Sequence, residues 1–245
     1  MINVRSFFFC CRKKSAPSPH KNCRSESGNI LFVILLAVVL IGLLTAAIQS
    51  TNQGGNIDKE SLLLRATEVQ RYASEMERGV VFILNNGVSE NDIRFAYPDA
   101  NSDYGDLSAD TDPSNQLFHR DGGGVTYRAP PDDINDGSKW EFYGQTALPE
   151  VGSDEAELIA VLPNVTQAFC EQINKSIGYD AGTQPEDTAT CLNGGASARF
   201  DDGTQFASSP NTVDETTFSL KPAKQGCVKC TADGTYHYFD VLLAR

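Results

Sequence analysis

The chemistry-bearing residues of this chain are few, and four of them are thiols: Cys170, Cys191, Cys227 and Cys230. Four such cysteines can make two disulfides, a four-thiolate metal site or a redox pair. Cys227-Val-Lys-Cys230 has metal-ligand spacing, but Cys170 and Cys191 stand far apart and supply no second CxxC. A redox CxxC opens a helix after a strand, whereas this one falls in an arm of an expected hairpin. Residues three apart on a strand face opposite ways, so each thiol should find a distant partner. Two disulfides are therefore expected, Cys170 or Cys191 joining each of Cys227 and Cys230, with both crossings open. Cys10, Cys11 and Cys23 lie in the basic N-terminal stretch and stand outside this set.

The other ligand-rich stretch is acidic. Asp99, Asn101, Asp103 and Asp110 space oxygen ligands much as a calcium-binding loop does. The glycine, Gly105, comes one residue late, and Asp110 is shorter than the usual bidentate Glu. Calcium is the one cofactor these residues suggest, and a solvated polar loop is the plainer account of them. Asp132, Asp133, Asn135 and Asp136 form a similar, weaker cluster. Nothing points to catalysis. His20, His119 and His237 are separated, no Gly-x-Ser-x-Gly or HExxH occurs, and no helix follows Gly122–Gly124 to make a phosphate cradle. The chain is expected not to be an enzyme.

The elements that must position these residues begin with an apolar run, Ile30 to Ile48, uninterrupted by charge. As a helix it would extend about 28 Å, close to one bilayer core. Arg5, Arg12, Lys13, Lys14, Lys21 and Arg24 precede it against a single Glu26, so the rest is more acidic than the whole chain's net −12. Basic residues beside an apolar span stay cytoplasmic. This predicts a single-pass inner-membrane protein, N-terminus cytoplasmic and C-terminal domain periplasmic or extracellular. An acidic domain repels phosphates, so nucleic acid is not an expected partner. Three fates of the run compete: a signal peptide cut after Ala47, an uncleaved anchor, or a leader cut after Gly28.

Downstream, Leu62, Ala66, Val69, Ala73, Met76, Val80 and Ile83 recur at spacings of three and four, one apolar face of a helix. Asn85-Asn86-Gly87 is its stop. Residues 88–138 read as loop with a short candidate strand at Gly124–Arg128. Strands are expected at Lys139–Gln145 and Leu158–Leu162, and a second helix from Pro163–Asn164 to about Ile177. Thr216–Cys230 and Thr235–Ala244 should form a hairpin around Ala232-Asp233-Gly234.

Gly28-Asn29-Ile30-Leu31-Phe32-Val33 resembles the N-terminus of type IV pilin-like proteins, including type II secretion pseudopilins and pilin-like proteins of alphaproteobacteria. The resemblance covers residues 28–50 and, more weakly, the strand ending Val241-Leu242-Leu243-Ala244-Arg245. It implies cleavage by a prepilin peptidase between Gly28 and Asn29, and packing against other pilin-like subunits through the apolar helix, with membrane lipid as its other partner. Asn29 replaces the usual first Phe, and Val33 the usual Glu, which implies a minor subunit. The expected fold is α+β and loop-rich. A long N-terminal helix, membrane-spanning in its first half and amphipathic in its second, packs on an antiparallel sheet with a second helix. The expected divisions are a leader at 1–28, a transmembrane helix at 29–50 and an acidic extracytoplasmic domain at 51–245. The rival is a signal-anchored periplasmic or surface domain that binds a protein or calcium and never polymerises.

Overall fold

The structure is a computed structural model that describes residues 32–43, 55–179, 185–188, 191–192, 199–201, 203–213 and 224–245. Gly28 and Asn29 lie outside the described residues, as do both ends of the apolar run and residues 216–223 of the expected hairpin. The chain divides into two compact units, Met1–Gln53 and Gly54–Arg245.

In the first unit the described element is helix α1, residues 32–43. Among the described residues no helix is long and apolar enough to cross a membrane. This overturns the single-pass inner-membrane placement.

The second unit holds α2 (Gly55–Asn85), β1 (Glu141–Ala147), β2 (Glu157–Leu162), α3 (Gln167–Ser176), β3 (Glu186–Asp187), β4 (Asn211–Thr212), β5 (Gln225–Cys230) and β6 (Tyr236–Leu243). The strands form one sheet in the order β3-β5-β6-β2-β1-β4. The four central strands pair antiparallel, but the two-residue edges β3 and β4 run parallel to β5 and β1. The expected fold is corrected on both counts. The sheet is mixed, and among the described residues no single long N-terminal helix with a membrane-spanning half lies on it. Of the described helices, only α2 and α3 belong to the unit that contains the sheet.

The period-2 rule sorts the strands cleanly. Leu158, Ala160, Leu162, Cys227, Tyr238 and Leu242 join the core that takes in Ala66, Val69, Ala73, Met76, Val80 and Ile83 of α2 and Phe169, Cys170 and Ile173 of α3. Ile159, Val161, Val228, Cys230, Phe239 and Val241 make a second core on the other face. All six residues of β2 are buried, as a central strand covered on both faces requires. Helix α2 ends where Gly87 takes φ +90° and Asn86 N–H donates to Phe82 C=O at 3.1 Å. Helix α3 starts later than expected. Asn164 adopts φ +54° and Val165 bridges to Asn135, so the turn is not yet helical, and the Thr166 hydroxyl caps by accepting from Phe169 N–H at 3.3 Å.

Residues 88–138, expected as loop, are irregular, yet they bury a set of apolar and aromatic side chains. Ile93, Phe95, Tyr97, Tyr104, Leu117, Phe118, Val125 and Ile134 are buried on the α2 side of the sheet. Phe95 stacks on Phe142 of β1 at 4.1 Å between ring centroids, and Tyr127 on Tyr97 at 3.8 Å. The candidate strand Gly124–Arg128 makes no ladder: Val125 and Tyr127 pack individually.

Candidate functional site

An open polar groove of about 560 Å³ runs between the Asp99–Asp103 turn, the start of β1 and the terminal hairpin, with Asn101, Lys139, Glu141, Arg199 and His237 among its walls. Local rules build the turn. Asn101 caps a 3₁₀ turn at Ser102–Tyr104, its side-chain oxygen accepting from Asp103 N–H at 3.0 Å. Asp99 sits at φ +62°, a conformation Asp tolerates better than most residues.

One ion-pair network governs the groove. Arg199 grips Glu141 with two donors, Nε to Oε2 at 2.7 Å and Nη2 to Oε1 at 3.1 Å, and reaches Asp103 Oδ2 through Nη1 at 3.1 Å. The Tyr104 hydroxyl donates to Glu141 Oε2 at 2.7 Å and accepts from Phe142 N–H at 2.8 Å. The hydrogen bond to Glu141 raises the Arg199 pKa, and burial holds the Tyr104 phenol well above its ordinary value. Both Glu141 oxygens are engaged, so the cluster clamps the acidic turn to β1 and offers no open acid or base. Lys139 Nζ adds a bond to the Asp99 carbonyl.

The calcium candidates are not gathered. Asp103 faces Arg199, and Asp110 accepts from the buried Gln116 amide at 2.7 Å and from Asp112 N–H at 3.1 Å. Asn101 is the turn's cap. In the weaker cluster, Asp133 pairs with Arg65 at 3.1 Å, and Asp136 accepts from Ser138 and from Asn164. His119 stays in its loop, its Nδ1 accepting from Asp121 N–H at 3.2 Å.

The thiols pair as Cys170–Cys227 and Cys191–Cys230, with Cα separations of 5.3 and 5.5 Å. The crossing left open is thereby settled. Cys227 belongs to the core on the helical face and Cys230 to the core on the other, so the two bonds tie the hairpin down from opposite sides. Neither bond joins Cys227 to Cys230.

No family model, characterised protein or solved structure matches this chain. Reasoning from sequence missed Arg199 and Glu141, which lie 58 residues apart and carry no local motif. It also read His237 only as a strand residue. His237 sits beside the Cys191–Cys230 bond, and burial lowers its pKa. Thr235 Oγ1 lies 2.6 Å from its Nε2.

Proposed function

We propose that the chain is a structural subunit of the type IV pilus or type II secretion pseudopilin kind, present in minor amount, that works by assembly and not by catalysis. The observation that supports this best is α1. Phe32, Val33, Ile34, Leu35, Val38, Leu40 and Leu43 are each more than half exposed, and at 3.6 residues per turn they are distributed around the helix. An apolar surface of this kind marks an interaction site. Packing it against like helices of other subunits would contribute roughly 1.5–3 kcal/mol per fully buried side chain.

Two features of sequence agree with the reading. Gly28 precedes the apolar run as a prepilin peptidase requires, and Val33 stands where a major subunit of that kind carries Glu. The closed Glu141–Arg199–Tyr104 network also fits a structural role better than a catalytic one.

Mass spectrometry of the mature protein should give Asn29 as its first residue. Leu36→Asp and Leu40→Asp should abolish recovery in sheared filaments while leaving both disulfides in place. A mature start elsewhere, or undiminished recovery of both variants, would sink the proposal.

A further inference from the structure

The two disulfides have unlike surroundings. Cys170 and Cys227 are fully buried beside Asn174, whose side chain donates to the Cys227 carbonyl and accepts from its N–H, each at 2.9 Å. That pair is an enclosed staple. Cys191 and Cys230 instead have an imidazole for company. One ligand atom from each of Cys191, Cys230 and His237 lies within 4.8 Å of the others. Among the described residues this is the only set of three or more His, Cys, Asp or Glu side chains gathered so closely.

The set is also reachable and held. Cys191 and His237 line a small cavity of about 40 Å³ with Tyr143 and Val161, and His237 lines the open groove as well. Cys191 adopts φ +59°, a left-handed backbone rare outside Gly and Asn. Asn211 holds it by donating to the Cys191 carbonyl at 2.6 Å, and Thr146 does the same to Leu192 at 2.8 Å. Such a conformation persists where its surroundings over-determine it. Thr235 orients the His237 ring, as outer partners of ligating imidazoles do.

We propose that Cys191, Cys230 and His237 form a thiol-gated site for a soft divalent cation of the zinc class, closed as the disulfide and opened by a dithiol reductant. In opening, the dithiol passes two electrons and two protons to the Cys191–Cys230 bond and is itself oxidised to a disulfide. The sulfur–sulfur bond breaks and two thiols form. Cation binding then displaces both thiol protons to solvent, while His237 binds through a ring-nitrogen lone pair. Zinc takes sulfur at about 2.3 Å and imidazole nitrogen at about 2.0–2.1 Å, which sets tetrahedral donors about 3.5–3.8 Å apart. The two sulfurs, about 2 Å apart in a disulfide, must part to that separation once the bond opens, and the donor atoms of all three residues already lie within 4.8 Å of one another. Two sulfurs and one nitrogen leave a fourth position for water from the cavity. The site is independent of the assembly reading, so either can fail alone.

The test is a Co²⁺ titration of the full chain, oxidised and after phosphine reduction, followed by Zn²⁺ competition. The reduced chain should bind one equivalent, with thiolate-to-cobalt charge-transfer absorption and tetrahedral d–d bands that Zn²⁺ abolishes. The oxidised chain should bind at least about 100-fold more weakly. His237→Ala should weaken binding by about tenfold or more, and Cys170→Ala/Cys227→Ala should retain the site. Equal binding by the oxidised chain, by Cys191→Ser/Cys230→Ser or by His237→Ala would overturn the proposal. So would the absence of cobalt bands in the reduced chain, or a reduced chain that loses its near-ultraviolet circular dichroism and does not regain it with Zn²⁺.

Discussion

Glu157 and Asp240 place two carboxyl groups where water hardly reaches, at 0% and 6% exposure. Burial pushes each pKa up to about 7, with Glu77 adding to the effect at Asp240. The folded values lie above the ordinary 4.5 and 3.8. The stability these groups contribute is therefore complete below the ordinary values and is lost as pH rises through about 7. Glu157→Gln and Asp240→Asn should each flatten that fall, retaining on the order of 1–3 kcal/mol at pH above 7. Urea unfolding across pH checks this. His237, whose pKa is lowered, acts in the opposite sense, so the comparison with the variants carries the test. If both variants track the parent chain at every pH, the assignment is wrong. The Glu141–Arg199 pair gives a second residue-scale expectation. Their side chains are only 16% and 19% exposed, so removing one partner strands the other. Arg199→Ala should destabilise by about 3 kcal/mol, and the double variant Arg199→Ala/Glu141→Ala by less than the sum of the two single losses.

Helix α2 explains how an irregular stretch of chain is held. Gly79 sits on its inner face, and a Cβ there would come within 2.6 Å of Leu117 Cδ1 and of Val125 Cγ2. The missing side chain is what lets the 117–125 segment lie against the helix. A glycine inside a helix ordinarily costs about 1 kcal/mol relative to alanine, so the close approach must offset that. Gly79→Val should destabilise by about 2–3 kcal/mol through overpacking, and Gly79→Ala by less. Denaturant unfolding measures both. A stabilised Gly79→Ala would mean that Leu117 and Val125 yield easily. Hydrogen exchange should quicken at Val125, whose N–H donates to Leu117 C=O at 3.2 Å.

At the scale of the whole chain, the disulfides cross-link parts that sequence leaves far apart. Their ends are separated by 57 and 39 residues. Non-reducing peptide mapping should recover Cys170 joined to Cys227 and Cys191 joined to Cys230. Cys170→Ala/Cys227→Ala should lower stability by about 2–4 kcal/mol. Any peptide joining Cys227 to Cys230 would refute the pairing.

Local patterning made much of this legible. The stripe Ala66–Ile83 is a buried helix face because three- and four-residue spacings put those side chains on one side. The alternation in β2, β5 and β6, and the opposed directions of Cys227 and Cys230, follow from the period of a strand. The tertiary structure alone decided the rest. Burial of residues 88–138 depends on aromatics such as Phe95, Tyr97 and Tyr104, which recur at no regular period and find partners only in space. The edge strands are too short to leave a pattern. The mate of Cys227, the grip of Arg199 on Glu141 and the approach of His237 to Cys191 are long-range, and no local rule of spacing reaches across them. The apolar run predicted a bilayer span from composition alone, whereas among the described residues no helix is long and apolar enough to cross a membrane.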